Sequence, residues 1–218
     1  MGLDPERRVD FSPSTDPQAA CLTGLSARQV AEALDLQPHR EGGFFRETYR
    51  APAEVATPAG ARPLATAILY LLTPESPSRF HRLAADELWF WHAGDRVELW
   101  LLPPEGAETG VGPNAAESPG GAAGAAETLQ AAPVTLGPDN PSTLVPARCW
   151  MAARVIAGNG GEKAPQGVAG TDKQKAAGWA LVSCVVTPGF EYEDFELADL
   201  EVLLREHPAH RDVIIALT

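Results

Sequence analysis

Cysteine is scarce, and it stands in no usable arrangement: Cys21, Cys149 and Cys184 are three in 218 residues, far apart and odd in number. No C-x-x-C pair exists, which excludes a zinc ribbon or a thioredoxin-type redox motif. Scattered thiols of this kind suit a reducing compartment, where cysteine serves as a small buried hydrophobe. Long apolar runs are missing too, and nothing approaches the roughly 18–20 residues that span a bilayer. The opening MGLDPERRVDFSPSTDPQAA has no apolar core and carries Asp4, Glu6, Asp10 and Asp16, unlike a secretory or transit segment. Glu6 stands where a myristoylation signal wants serine or threonine. A cytoplasmic location with no membrane partner is the expectation. Basic charge is also short: 17 Lys and Arg face 29 Asp and Glu, a net charge of −12. Nucleic-acid affinity comes mainly from cations on phosphates, and no basic stripe offsets the acidic surplus, so no nucleic-acid partner is expected. There is no G-x-S-x-G, no Walker A loop and no G-x-G-x-x-G between strand and helix, which sets aside those three chemistries.

What is present changes period along the chain. Residues up to about Leu22 are rich in Pro, Ser and Asp and read as a mobile tail. LTGLSARQVAEALDLQPH reads as one helix, with a capping-box spacing at Ser26 and Gln29, a staple between Leu25 and Val30, and Pro38 as its end. FFRETYRA then alternates, placing Phe45, Glu47 and Tyr49 on one face and Arg46, Thr48 and Arg50 on the other. LATAILYLL is a strand-length apolar run that needs cover on both sides. ELWFWHAGDRVELWLL reads as a hairpin turning at Gly94. About 103–128 and about 157–178 are polar or low-complexity insertions that cannot pack a core. Strands resume in VTLG, STLVPARCWMAARVI and WALVSCVVTPGF, and DFELADLEVLLREHPAHRDVIIAL is helical in pattern with a break at Pro208. Many short strands between terminal helices mean a mainly β sandwich or barrel, because a parallel α/β fold needs helices alternating with strands.

The chemistry concentrates in SRFHRLAADELWFWHAGD. His81, Glu87 and Gly94 fit three places of the first cupin motif, while its second histidine falls on Leu83. In VPARCWM, Pro146 fits the second motif, but Arg148 and Met151 stand where glycine and histidine are usual. The phrases LQPHREGGFFRETYR, SRFHRLAADELWFWHAGD, LVPARCW, LVSCVVTPGFEYEDFELAD and IALT occur in order. They resemble one cupin branch, the domain of unknown function 985 family, Cupin_5. That resemblance implies a cupin-type jelly-roll β-barrel with an N-terminal helix and C-terminal helices, one domain over residues 23–218, and a homodimer. It implies no settled activity.

Taken by themselves, His81 and Glu87 supply two groups of a metal site, and Leu83 and Met151 cannot replace imidazoles toward a hard ion. No metal ligand is assigned and no cofactor is expected. A carboxylate beside a histidine raises its pKa and fixes its tautomer, so His81 is the candidate general base and Glu87 its orienter. Tyr70 or Tyr49 could return the proton. Alternation puts Trp89 and Trp91 on the face of Glu87, an aromatic wall for a planar ligand, or else simply barrel filling. His39, Glu41 and Arg46 are candidate ligand-binding residues at the pocket rim; a helix-to-strand connector meeting water is the competing reading. Arg79 and Arg82 could mark an anion site or pair with Asp86 and Glu87. Cys149 is a candidate mouth thiol, its pKa lowered by Arg148. PGFEYEDFELADL reads as a solvated acidic helix start. The expected partner is a small polar or aromatic metabolite, and the expected reaction a metal-independent isomerisation or epimerisation. A non-catalytic binding module and a metal-dependent cupin enzyme using His81 and Glu87 remain open beside it.

Overall fold

A computed structural model describes Leu22 and residues 24–104, 131–156 and 177–218. The tail and most of the two insertions lie outside the described residues. Helix α1 spans Ala27–Ala33. Among the described residues thirteen strands follow: β1 (Gln37–Pro38), β2 (Phe44–Arg50), β3 (Glu54–Thr57), β4 (Gly60–Pro63), β5 (Thr66–Leu72), β6 (Ser78–Leu83), β7 (Asp86–Gly94), β8 (Arg96–Leu102), β9 (Ala132–Leu136), β10 (Ser142–Val145), β11 (Trp150–Ile156), β12 (Ala180–Thr187) and β13 (Phe195–Leu197). Helices α2 (Leu200–Glu206) and α3 (Arg211–Leu217) close the chain.

The strands form two antiparallel sheets in a jelly-roll arrangement, ordered β1-β2-β5-β12-β7-β10 and β13-β6-β11-β8-β9, with β3-β4 a separate ribbon. Between them lies one apolar core that includes Tyr70, Leu83, Trp89, Leu99, Met151 and Val182. A second cluster, including Phe80, Trp150, Leu203 and Ile214, seats α2 and α3 on the outer face of the second sheet. A third, with Val30, Leu71, Trp179 and Leu181, seats α1 on the first. This layering explains the apolar run in β5: Tyr70 and Leu72 enter the central core while Leu71 packs under α1.

Helix α1 starts with the Ser26–Gln29 capping box, both halves formed. Leu25 packs against the cluster that holds Val30. The helix ends earlier than Pro38, at Ala33. Asp35 takes φ +52, and Gln37–Pro38 pair with Phe44–Phe45 as a strand. The segment read as a hairpin is also different. β7 pairs with β12 and β10 and β8 with β11 and β9, so the chain crosses from one sheet to the other at Gly94 and Asp95. The corner is built for that crossing. Gly94 has φ +89, and a Cβ there would lie 2.2 Å from the Trp179 carbonyl oxygen. The Asp95 carboxylate accepts from the amides of Ala177 and Gly178 at 3.0 and 2.7 Å. Both strands carry apolar residues for the central core, and a two-residue hairpin would keep them in one layer.

Strand β2 departs from alternation. Its register to β5 shifts between Glu47 and Tyr49, a β-bulge in which Thr48 is the extra residue. Phe45 and Glu47 face inward, and past the bulge Arg50 turns inward in place of Tyr49, which is 53% exposed.

Arg148 has φ +65, the left-handed conformation that favours glycine. The tight turn before β11 demands it: the Arg148 amide donates to the Leu83 carbonyl at 2.7 Å, and the Cys149 amide to Pro146 at 3.2 Å. A side chain costs about 1 kcal/mol in this conformation. Arg148→Gly should therefore raise the melting temperature by about 2–4 °C in calorimetry. An unchanged or lower value would show that the arginine side chain offsets the strain.

Candidate functional site

The turn PHREGG folds back on itself through His39 N–H to Gly43 O at 3.1 Å and Gly42 N–H to His39 O at 3.2 Å. Gly42 and Gly43 have φ +118 and +65. A Cβ on Gly42 would sit 1.9 Å from the Pro77 oxygen, and one on Gly43 would sit 2.5 Å from the Tyr70 ring. Only glycine lets the turn press this closely against β5 and the start of β6. Arg79 then pins it, its amide and Nε donating to Glu41 O and its Nη2 to Arg40 O. Arg79 is thus a backbone clamp. Arg82 pairs with Glu196 at 2.7 Å and covers the Trp150 ring, so neither arginine pairs with Asp86 or Glu87.

The docked turn drives Glu41 into the sandwich, where it is 6% exposed. Glu41 Oε2 lies 3.4 Å from His39 Nδ1 and 3.3 Å from His81 Nε2, and Oε1 accepts from Ser78 Oγ at 2.9 Å. Burial pushes the Glu41 pKa up, but it is outweighed by the charge of His81 and by His39, which hold the carboxyl at about 2. His81 Nδ1 faces the Arg79 carbonyl at 2.8 Å. A carbonyl oxygen can only accept, so Nδ1 carries hydrogen, and Nε2 is engaged by Glu41. Both His81 nitrogens are therefore committed. On His39, Nδ1 lies 3.4 Å from the Glu41 carboxylate and accepts from the Glu41 amide N–H at 3.5 Å. The expected His81–Glu87 pair is corrected here: the carboxylate partner of His81 is Glu41.

These groups line a cavity of about 130 Å³. Tyr70 and Ile68 come from β5, Cys184 and Val186 from β12, Glu87 from β7, His81 and Leu83 from β6, and Phe45 and Glu47 from β2. Glu87 is 6% exposed, and its Oε2 is buried without a hydrogen-bond partner. Burial, then the charge of Glu41, pushes its pKa up to about 8; Trp89 and Cys184 work the other way. Tyr70 donates to Gly42 O at 2.9 Å, and burial raises its pKa well above the usual phenol.

The mouth is formed by Arg50, Glu47, Phe190, Glu191 and Tyr192. Arg50 grips Glu47 with two hydrogen bonds, of 3.1 and 2.9 Å, and Glu191 with one of 2.7 Å. The segment after β12 is fastened by Phe190 N–H to Thr66 Oγ1 at 2.9 Å and by Arg62, whose guanidinium holds both oxygens of Asp194 at 2.6 and 3.1 Å. PGFEYED is thus the rim of the cavity rather than a solvated helix start.

His39, Glu41, His81 and Glu87 all line this cavity. Arg46 does not: it lies exposed on the outer face of β2, between two residues that point inward. Trp89 does not either. It is wholly buried behind Tyr70, the ring centroids 5.9 Å apart, and is part of the core. Trp91 packs on the core with its indole N–H on Asp95 O. Cys149 is buried, and burial pushes its thiol up to about 12, the opposite of activation. The thiol at the cavity is Cys184. Sequence alternation missed Arg50 because the bulge hides it. The aromatic and acidic density of PGFEYED was the available signal for Phe190, Glu191 and Tyr192.

Cupin metal centres gather histidines and a carboxylate on one ion. Here Leu83 stands at one histidine place. Met151, opposite His81 in the β6–β11 register, stands at another. Among the described residues no three of His, Cys, Asp and Glu form a cation-holding group. Glu41 is already bonded to both imidazoles. The residues present do not fit a cupin metal.

The family model for the cupin superfamily (DUF985), Cupin_5, matches residues 28–198, and the chain belongs to that family. A stretch of 69 residues is 41% identical to the Uncharacterized protein YML079W of Saccharomyces cerevisiae. That match covers 26% of this chain and 34% of the yeast protein, about a third of its length. A hypothetical protein from Leishmania major is similar in structure at 30% identity and a TM-score of 0.67, over 89% of this chain and 99% of that one. Protein SO0799 from Shewanella oneidensis is similar at 30% identity and a TM-score of 0.64, over 89% and 98%. Among the described residues no helix is long and apolar enough to cross a membrane.

The two buried carboxyls pull stability in opposite directions with pH. Glu87, at about 8 against an ordinary 4.5, holds a proton that the unfolded chain has released. Its contribution is full below pH 4.5 and is lost as pH rises through 8. Glu41, at about 2, contributes above pH 4.5 and loses that contribution as pH falls toward 2. Glu87→Gln, always neutral, should flatten the decline in melting temperature between pH 5 and 8, a difference of a few kcal/mol across the window. Identical slopes in both proteins would show that Glu87 is not protonated in the fold.

Proposed function

We propose that this cupin binds a small carbonyl compound and moves a proton at the carbon beside the carbonyl, the chemistry of a metal-independent isomerase or epimerase. The observation that carries the reading is Glu87: a buried carboxyl with an unpartnered oxygen, in the same cavity as the His39 imidazole. A neutral carboxylic acid can donate a hydrogen bond to a carbonyl oxygen and stabilise the enolate that forms when a neighbouring C–H is broken.

The base in this reading is His39. Its Nδ1 stands beside both the Glu41 carboxylate, at 3.4 Å, and the Glu41 amide, at 3.5 Å; in the tautomer that donates to the carboxylate, Nε2 keeps the lone pair that takes the α-proton. The C–H electron pair moves into the enolate, the oxygen receives the Glu87 hydrogen bond, and the proton returns from His39 to the same carbon; in an α-hydroxy ketone the hydroxyl proton can pass to the enolate oxygen, and return to the adjacent carbon then moves the carbonyl. His81 is a positioning residue here, because both its nitrogens are occupied: with Ser78 it fixes the Glu41 carboxylate that orients His39. This reading moves the base from His81 to His39, supported by the two contacts that already engage the His81 nitrogens. The Tyr70 hydroxyl is committed to Gly42 and supports the wall.

Incubation with small ketones in D2O, followed by proton NMR, reads the proposed step directly as loss of the α-proton signal. His39→Gln should lower the exchange rate at least about 100-fold, with a melting temperature within a few degrees of the parent. Glu87→Gln should lower it less, because an amide still donates a hydrogen bond. Exchange that persists in His39→Gln, or that never exceeds the buffer rate for ketones that bind, would overturn the reading.

A further inference from the structure

The cavity also restricts what can enter it. We propose that its ligand is an uncharged carbonyl compound with a body no larger than one five- or six-membered ring, and that carboxylates, phosphates and amines are excluded. This deepens the proton-transfer reading and rests on it for the carbonyl. The size and charge limits stand on the cavity itself.

Size comes first. A cavity of about 150 Å³ lined by apolar side chains holds benzene. This one, at about 130 Å³, has room for roughly six heavy atoms. Phe45, Ile68, Leu83, Val186 and Phe190 give it apolar walls suited to a ring or short chain.

Charge is the second limit. Arg50 is the only Lys or Arg among the described lining residues. An incoming anion would need its guanidinium, but Glu47, Glu191 and the Phe190 carbonyl already occupy it. Arg40 stacks on the Tyr192 ring at 4.2 Å but lies outside the cavity lining, so the one guanidinium that lines the mouth is already matched by two carboxylates. Deeper in, Glu41 is ionised and spent on two imidazoles, and no Lys or Arg among the described lining residues is free to repay an anion's desolvation. An ammonium would have to shed its hydration among apolar walls with the ionised carboxylate, Glu41, already spent on two imidazoles. A neutral carbonyl oxygen meets none of these costs. It also gives the unpartnered Glu87 carboxyl a hydrogen-bond partner.

Three probes of matched shape test the inference on the whole chain by amide chemical-shift titration at pH 7: cyclopentanone, cyclopentanecarboxylate and cyclopentylamine. Cyclopentanone should shift cavity amides saturably, with both charged probes at least tenfold weaker. In the Glu47→Gln, Glu191→Gln double variant the freed Arg50 should improve carboxylate binding at least tenfold relative to the ketone. Carboxylate or amine binding as tight as the ketone in the parent protein would overturn the inference, as would no saturable shift with the ketone. Ketone binding without deuterium exchange would leave the inference standing and sink the proton-transfer reading. Exchange on a bound oxo-carboxylate would do the reverse.

Discussion

A single oxygen, Oε2 of Glu41, lies within 3.4 Å of one imidazole and 3.3 Å of another, deep between two sheets. An ionised carboxylate in such a place is costly unless several donors repay it. Here the repayment comes from both imidazoles and the Ser78 hydroxyl. The demand reaches well beyond the site. It requires the turn at residues 39–43 to dock against β6, which requires glycines at 42 and 43 and Arg79 as a clamp. It also sets the protonation of Glu87, because a second carboxyl in the same cavity, beside a charge that is already fixed, is driven to keep its proton. One low-pKa and one high-pKa carboxyl follow from a single arrangement of donors.

The two sheets share the work unequally. The first supplies the polar floor and mouth through β2, β5, β12 and β7, and the second contributes His81 and the apolar Leu83. The bulge in β2 links them to the rim, since without it Tyr49 would point inward and Arg50 would meet solvent. Arg50 then has two neighbouring carboxylates to hold, one from its own strand and one from the loop after β12. The rim is thereby tied across two separate segments, and Arg62 ties the second of them again at Asp194.

Much of the architecture was legible in the residues. The capping box of α1, the strand-rich middle, the doubly covered run in β5 and the terminal helices all follow from local periodicity and cap chemistry. Harder to read was whatever depends on contacts distant in sequence. Nothing in ELWFWHAGDRVELW distinguishes a hairpin from a corner between sheets, because the deciding contact is with Trp179, some 85 residues on. A one-residue bulge inverts a face without leaving a mark on composition. The motif spacing located His81 and Glu87 in one cavity, and the PHREGG phrase located His39 and Glu41 there. It did not say that the imidazole of His81 would meet Glu41, since both carboxylates satisfy the same chemical expectation and only the docked turn chooses between them.

That choice accounts for the missing metal ligands. In a metal cupin the ion orders the imidazoles, and the ligands' outer hydrogen bonds fix their tautomers. Here, with Leu83 and Met151 in two ligand places, the convergence point of the imidazoles is an anion instead of a cation. Reversing the sign of the central charge reverses what the nitrogens do. Facing a cation they would present lone pairs; here His81 Nε2 and His39 Nδ1 lie 3.3 and 3.4 Å from one carboxylate oxygen, and His39 Nδ1 also meets the Glu41 amide at 3.5 Å. His81 has its second nitrogen tied to Arg79 O and is locked, whereas His39 meets Glu41 through Nδ1 alone and lines the cavity. The same residues that withhold ligands from a metal therefore leave a buried carboxyl with an unpartnered oxygen in one cavity with the His39 imidazole, the pair on which the proposed proton transfer rests.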